Sequence, residues 1–422
     1  MKKKTLILVL LLAALFLLSS CTGISGSKLE AMFKAGESGV ISTGGTADAG
    51  GDTVTISRAE YERYRQFSEM YEIFDAAQEG FYEEPDTQKM IEYATRGLMA
   101  GLDDPYSYYY NPEEYTQLWE DDEGNYVGIG VLISANYETQ ICTISRVFKN
   151  GPAEAVGVQR GDILYKVGED LYVTAENLQE AVDIMRGVAD TDVDVTFLRG
   201  EEQITYTITR KEVIVNQVES KMIEPDFGYL ALYQFAGKCE KEFENHLNEL
   251  LAQGAKGIII DLRDNPGGWV DQAAYIADLF MDKGEVYYLK YRDGEQHVPE
   301  AQTKDGKADV KLVILINENT ASSSEILTGA LRECAGAVTV GVNSFGKGII
   351  QGVFPVGTGG AGYQMTIAQY FTPNGTAVHK VGIAPDYEVK LPEGDNGMYD
   401  FADTEKDVQL KKAIEVMKEA LE

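Results

Sequence analysis

Histidine is scarce in this chain. Its 422 residues include three, His246, His297 and His379. So few cannot build a histidine-rich metal site. Cations are outnumbered as well: 37 lysines and arginines stand against 68 acids, a formal net charge of -31. A face that holds nucleic acid must be basic, so nucleic-acid partners are excluded, and electrostatic attraction to anionic lipid with them. The four cysteines, Cys21, Cys142, Cys239 and Cys334, fit no zinc spacing. No Gly-x-Ser-x-Gly elbow occurs, which removes the usual entry to Ser-His hydrolases of the α/β type. The longest apolar run, Leu6 to Leu18, is short for a membrane-spanning helix.

That run has a specific context. Lys2-Lys3-Lys4 precedes it and Leu18-Ser19-Ser20-Cys21 follows, so the order is basic end, apolar core, processing site. This is the layout of an export signal over residues 1–20. The last four residues resemble a bacterial lipobox, which implies lipidation at Cys21 and an extracytoplasmic location, lipid-anchored to the bacterial cell membrane. Cys142, Cys239 and Cys334 then remain, and three thiols cannot all pair within one chain. Buried free thiols are expected. Residues 21–56 are rich in Gly, Ser, Thr, Ala and Asp and read as a flexible tether.

Four further segments follow. In residues 57–119 apolar positions recur at helical spacing, as in Phe67, Met70, Tyr71 and Phe74, or Ile91, Ala94, Thr95 and Leu98. A helical region with a helix–helix core is expected. A tyrosine-rich loop, Tyr106 to Tyr110, lies between Pro105 and Pro112 and is expected to pack on a neighbouring domain. Residues 120–210 change to short strands punctuated by glycine. Gly151-Pro152-Ala153 opens a short helix closed at Gly157, Gln159-Arg160-Gly161-Asp162-Ile163 turns into a strand, and Leu178 to Met185 is a second helix. This order resembles a PDZ domain. The amides near Gly128, Ile129 and Gly130 would hold a terminal carboxylate, and the strand after them would accept a peptide by β-augmentation. Residues 211–390 alternate apolar strands, Gly257 to Leu262 and Lys311 to Ile316 among them, with helices such as Ala273 to Phe280. This is an α/β core with a partly parallel sheet. Residues 391–422 end in an amphipathic helix from Asp407.

The chemistry gathers in the core. Ser322-Ser323-Ser324-Glu325 stands between the strand Leu312 to Ile316 and a helix from Ile326. A strand-to-helix junction points N–H groups outward and favours negative charge. Alone, Ser-x-x-Glu is a capping box that starts a helix. Lys347 and Gln351 add to it. A lysine serves as general base once desolvation disfavours its charged form, and Lys347 has apolar neighbours in Phe345, Ile349 and Ile350. Gln351, four residues on, lies on the same side of a helix or strand and could orient it. Gly341 to Gly348 nearly matches a phosphate-binding loop, but Gly348 replaces the hydroxyl residue and strand follows where a helix is required. Asp261-Leu262-Arg263-Asp264-Asn265-Pro266-Gly267-Gly268 ends a buried strand. Gly267 or Gly268 could complete an oxyanion hole with the amide of Ser323.

Together these residues resemble the bacterial C-terminal processing peptidases, the tail-specific serine proteases with a Ser/Lys pair. Tyr370-Phe371-Thr372-Pro373-Asn374-Gly375 and Gly382-Ile383-Ala384-Pro385-Asp386 extend the likeness, which runs over roughly residues 60 to 415. The family pattern Ser-Ala-Ser-Ala-Ser-Glu maps its reactive serine onto Ser322, with Thr320 and Ser323 as departures and Ser324 as rival. Asp264 stands where asparagine is usual. The resemblance implies a multidomain α/β enzyme: N-terminal helical region, PDZ domain, α/β peptidase core. It implies cleavage of exported proteins near their C-termini, Ser322 as nucleophile, Lys347 as base, Gln351 as its orienter, and no metal or organic cofactor. The expected partners are proteins or peptides with free C-termini, the membrane through the lipid, and a second copy in a homodimer. The alternatives are a Ser/His hydrolase using His379 and a non-catalytic peptide-binding scaffold.

Overall fold

The computed structural model describes residues 55–422, except 124, 138, 283, 295, 298–299, 302–307, 396, 398 and 400. The expected signal peptide, most of the tether and Cys21 lie outside the described residues. The described chain begins with three helices, α1 Arg58–Arg65, α2 Ser68–Gly80 and α3 Thr87–Ala100. Ser57 and Glu60 cap the first reciprocally, and Asp86 caps the third. Strand β1 Tyr108–Tyr110 and helix α4 Pro112–Glu123 follow. The helix–helix core expected here is not formed. None of the three helices has a buried residue, and Met70, Tyr71, Ile91 and Leu98 are exposed. Periodicity reports that a helix is amphipathic, not that the chain supplies a partner for its apolar stripe. The tyrosine-rich loop does pack: β1 pairs with a core strand and Tyr110 is buried.

The next segment holds β2 Asn125–Gly128, β3 Val131–Asn136, β4 Ile141–Val147, α5 Pro152–Val156, β5 Ile163–Val167, β6 Leu171–Tyr172, α6 Leu178–Met185, β7 Asp192–Arg199, β8 Glu202–Thr209 and β9 Lys211–Ile214. Its main sheet runs β3-β4-β5-β7-β8, with β6 on β5, while β2 and β9 form a separate ribbon. Pro152 at the first turn and left-handed Gly157 after the last set the ends of α5. Ile144, Leu164, Val195, Phe197 and Ile208 form its core under Leu178, Ala181 and Met185 of α6. Strand β3 is an edge of this sheet.

The core domain runs through β10 Val218–Glu224, β11 Phe227–Leu232, α7 Cys239–Ala252, β12 Gly257–Asp261, α8 Val270–Asp278, β13 Gly284–Glu285, β14 Tyr288–Tyr291, β15 Gln296–His297, β16 Glu300–Ala301, β17 Lys311–Ile316, α9 Ser323–Cys334, β18 Val338–Gly341, β19 Ile349–Val356, β20 Ala361–Phe371, β21 Tyr387–Glu388 and α10 Val408–Leu421. The central sheet is ordered β10-β11-β12-β17-β18-β21. Only β10 is antiparallel to its neighbour. Helices cover both faces, so its strands read as unbroken apolar runs. Ile258, Ile260, Leu312 and Ile314 face α7, α8 and α9, whereas Ile259, Val313 and Leu315 face Leu410, Ala413 and Met417 of α10. A second sheet is built on the long β20, with β19 along it and β1 and β14 at its two ends. Cys142 and Cys239 are buried thiols, as expected. Cys334 is exposed, against that expectation, because the last turn of α9 reaches the surface.

Candidate active site

Strand β17 delivers the chain to Ser322, the N-cap of α9, which is itself buried from Ser323 to Leu331. Ser322 has φ 54° and ψ -118°. Such a backbone is strained for any residue with a Cβ. The three serines differ in what they hold. Ser323 Oγ donates to the Gly268 carbonyl at 2.7 Å, and Ser324 Oγ donates to the Asn265 carbonyl at 3.0 Å. Both hydroxyls pin the loop after β12. The Ser322 hydroxyl donates to no described group, which separates it from its rival Ser324.

Glu325 ties this junction to the lysine loop. Its Oε2 accepts from the Ser322 N–H and from the Lys347 N–H, each at 2.9 Å. Its Oε1 accepts from the Gly346 N–H at 2.7 Å and from Ser344 Oγ at 2.5 Å. The Tyr370 hydroxyl donates to the Ser322 carbonyl at 3.1 Å and stands 3.5 Å from Glu325 Oε2. Burial pushes the Glu325 carboxyl up, against the lowering pull of Ser344 and of the three amides. The Ser-x-x-Glu spacing was the signal for this residue. Read as a capping box, it accounts for one of the four short contacts.

Across from Ser322, Asn265 fixes the glycine pair. Its Oδ1 accepts from the Gly267 N–H at 2.9 Å, and its Nδ2 donates to the Leu232 carbonyl at 2.8 Å. A Cβ on Gly267 would lie 2.8 Å from Ser322 Cβ and 2.9 Å from the Ser323 nitrogen, so only glycine allows this approach. The N–H of Gly267 is therefore taken. Those of Gly268 and Ser323 donate to no described group. Beneath the loop, Arg263 lies between Asp261 and Asp407, at 2.6 Å from each. Burial opposes its charge, but the two aspartates outweigh that and push its pKa further up. Asp264, at φ 59°, accepts from the side-chain amides of Asn317 and Asn319.

Lys347 is 5% exposed and Gln351 1%. Their side chains do not meet. The Lys347 ammonium lies over the Tyr106 ring, 4.3 Å from its centroid. Gln351 Nε2 donates to Thr366 Oγ1 at 3.0 Å, and its buried Oε1 has no partner among the described residues. Tyr106 and Thr366 carry no motif of their own, and sequence reasoning missed both. The backbone of His379 abuts Gly348, but the ring makes no described hydrogen bond to Ser322, and its Nδ1 has no partner. Burial pulls the His379 pKa below its ordinary value, Lys380 adds to this and Asp104 opposes it. Among the described residues, no group of His, Cys, Asp or Glu is arranged to hold a metal ion. In the segment before the core domain, the N–H groups of Ile129 and Gly130 also donate to no described group, while Gly128 is paired in the β2–β9 ribbon.

Residues 226–389, which contain Asn265, Gly267, Gly268, Ser322, Glu325, Lys347 and Gln351, match the family model for peptidase family S41. A carboxy-terminal-processing protease of Bartonella bacilliformis is 33% identical over 340 residues, 79% of this chain and 77% of its own length. The chain belongs to peptidase family S41. It is a serine-type peptidase of the C-terminal processing group. The carboxy-terminal processing protease CtpA of Bacillus subtilis is 32% identical over 78% of this chain and 70% of its own. Among solved structures, a photosystem II D1 C-terminal processing protease superposes with a TM-score of 0.52 at 25% identity, over 79% of this chain and 94% of that one. This S41 chain therefore acts on protein substrates through a mixed α/β fold.

Proposed function

We propose that Ser322 is the nucleophile, Lys347 the general base and Gln351 the group that orients it. The observation that carries this reading is the shared oxygen of Glu325. One buried atom receives the N–H groups of both Ser322 and Lys347, so the two residues are built into a single frame. Ser322 Oγ attacks the scissile carbonyl and its proton passes to Lys347 Nζ. The developing oxyanion receives the uncommitted N–H groups of Gly268 and Ser323. Gly267, whose N–H is held by Asn265, shapes the approach without donating. Lys347 then protonates the leaving amine, and water hydrolyses the acyl-enzyme. Gln351 Oε1, buried and unpartnered, is the acceptor a lysine turned away from Tyr106 would meet. Replacing Ser322 by alanine tests the assignment: cleavage of a peptide substrate should vanish from a protein that remains folded. Persistent cleavage would overturn it. The Ser/His reading has no group that would orient His379.

The same proposal extends to recognition. Residues 120–210 act as a PDZ domain that captures the substrate's C-terminal end. Its support is the edge position of β3 beside the free N–H groups of Ile129 and Gly130, where an extended peptide can pair and place its carboxylate. Export by residues 1–20 and lipid attachment at Cys21 complete the proposal, placing the enzyme outside the cytoplasmic membrane. Mass spectrometry of the mature protein tests this, since an unmodified Cys21 would refute it.

A further inference from the structure

The segment that reaches Lys347 from outside the matched S41 region is a tight turn. Asp103, at φ 50°, opens it. The Asp104 carboxylate accepts from the Tyr106 N–H at 3.3 Å and from Ser107 Oγ at 2.5 Å. The turn is fastened to β20 at two points: Gln364 Nε2 donates to the Tyr106 carbonyl at 3.1 Å, and the Thr366 N–H donates to Ser107 Oγ at 3.0 Å. Thr366 is also the partner of Gln351 Nε2. One short turn thus touches Lys347 directly and reaches Gln351 through Thr366. It lays a ring face under the lysine and, through Thr366, holds the glutamine.

We infer that Tyr106 is a positioning residue that holds Lys347 in its cationic, resting pose, with Gln351 Oε1 as the alternative pose in which the amine serves Ser322. This rests on the assignment of Lys347 as the base. An aromatic face attracts an ammonium and gives nothing comparable to a neutral amine. A base must be neutral when it takes the serine proton, so the ring favours the form that cannot act. The other half of the argument is the orphaned acceptor. A buried amide oxygen without a donor is costly, and Lys347 is the donor close in sequence and on the same loop and strand. Other charged groups surround the lysine loop. From α9 comes Glu325, whose oxygens are filled by the donors described above. From the segment after β20 come His379 against Gly348 and Lys380, whose N–H donates to the Gly346 carbonyl. From the Tyr106 turn comes Asp104. Lys347 forms no ion pair with any described residue, so the ring is its principal described partner.

The test is a pH series of kcat and KM on an internally quenched peptide with a free apolar C-terminus, using the full mature chain. Tyr106→Leu should raise kcat several-fold at mildly acidic and neutral pH, leave KM unchanged, and converge with wild type at alkaline pH. Tyr106→Phe keeps the ring face and should restore the wild-type profile. Repeating the pair in a His379→Asn background removes titration of that ring as the cause. A Tyr106→Leu profile that follows wild type at every pH, or falls below it, overturns the role of Tyr106. So does a Tyr106→Phe profile that matches Tyr106→Leu. Lys347→Ala separates this from failure of the underlying assignment: if it still cleaves, the base is elsewhere.

Discussion

Two of the described turns, at Gly268–Ser323 and at Ile129–Gly130, present N–H groups that donate to no described group, and their surroundings differ. At Gly268 and Ser323 the turn is locked on every side, by Asn265 below, by the hydroxyls of Ser323 and Ser324, and by a carboxylate that receives four donors. At Ile129 and Gly130 the turn lies beside an edge strand with nothing paired along its outer side. The first arrangement suits charge that appears briefly in a transition state, where donors must already be in place. The second suits a charge that arrives with a peptide and needs access more than rigidity. On the proposed reading the same backbone group does two kinds of work, and the polar network around it decides which.

The sharpest way to break the comparison is at the locked turn. Ser322→Ala and Lys347→Ala should each lower kcat by ~10³-fold or more with circular dichroism unchanged, because residues that act as one unit fail together. Folded variants that keep substantial activity would show that the rigid turn is a structural device only. Glu325→Gln comes next. Glutamine brings an amide N–H₂ toward donors that need an acceptor, so at least one buried N–H or O–H is left unpaired, at a cost of about 1–3 kcal/mol. We expect kcat to fall by roughly ten- to a hundred-fold and the denaturation midpoint to drop, the kinetic loss persisting where the variant is fully folded. Equal kcat in folded Glu325→Gln would detach the carboxylate from the chemistry.

How far the sequence carried depended on the kind of interaction. Strand β17 was legible to its ends, since five apolar residues between Lys311 and Asn317 admit little else. Helix α6 was equally legible, and α8, expected over Ala273 to Phe280, runs from Val270 to Asp278. The exposed stripe of α2 and α3 was not legible, because a helix displays the same spacing whether or not anything covers it. At the site, the residue types were visible but their partners were not. Nothing local distinguishes Gly267 from Gly268. Asn265 decides between them through one side-chain bond to the N–H two residues on, in a loop that is itself held against the start of α9 by the Ala321 N–H on the Asn265 carbonyl. Tyr106 joins Lys347 across more than two hundred residues of chain, a contact made by sheet pairing between β1 and β20.

The open turn is tested more gently. Amidating the C-terminus of a peptide removes one charge-assisted contact, so binding should weaken by about 1.5–3 kcal/mol, roughly ten- to a hundred-fold, in titration calorimetry with the Ser322→Ala protein. Equal affinity for acid and amide would reduce the edge strand to a spacer. The smallest effect belongs to His379. Its pKa lies below the ordinary 6.5, chiefly through burial, so the folded protein binds fewer protons there than the unfolded chain. Its contribution to stability is therefore present above 6.5 and lost as pH falls through the depressed value. His379→Asn should flatten the decline of Tm with pH in that window and leave cleavage unchanged. Loss of cleavage would revive the histidine-assisted route.

Ser322 carries one more consequence. Its φ of 54° with ψ -118° puts a Cβ where the backbone resists one. Strain of this kind costs about 1–3 kcal/mol, out of a net stability of ~5–15 kcal/mol for a typical domain. The molecule is thus held slightly away from its own optimum by the residue proposed as its nucleophile. Glycine at position 322 would relax the junction and silence it in one step. A lineage freed from the need to cut peptide bonds would find sturdiness one substitution away, so the serine persists there only while its reactivity is worth the lost stability.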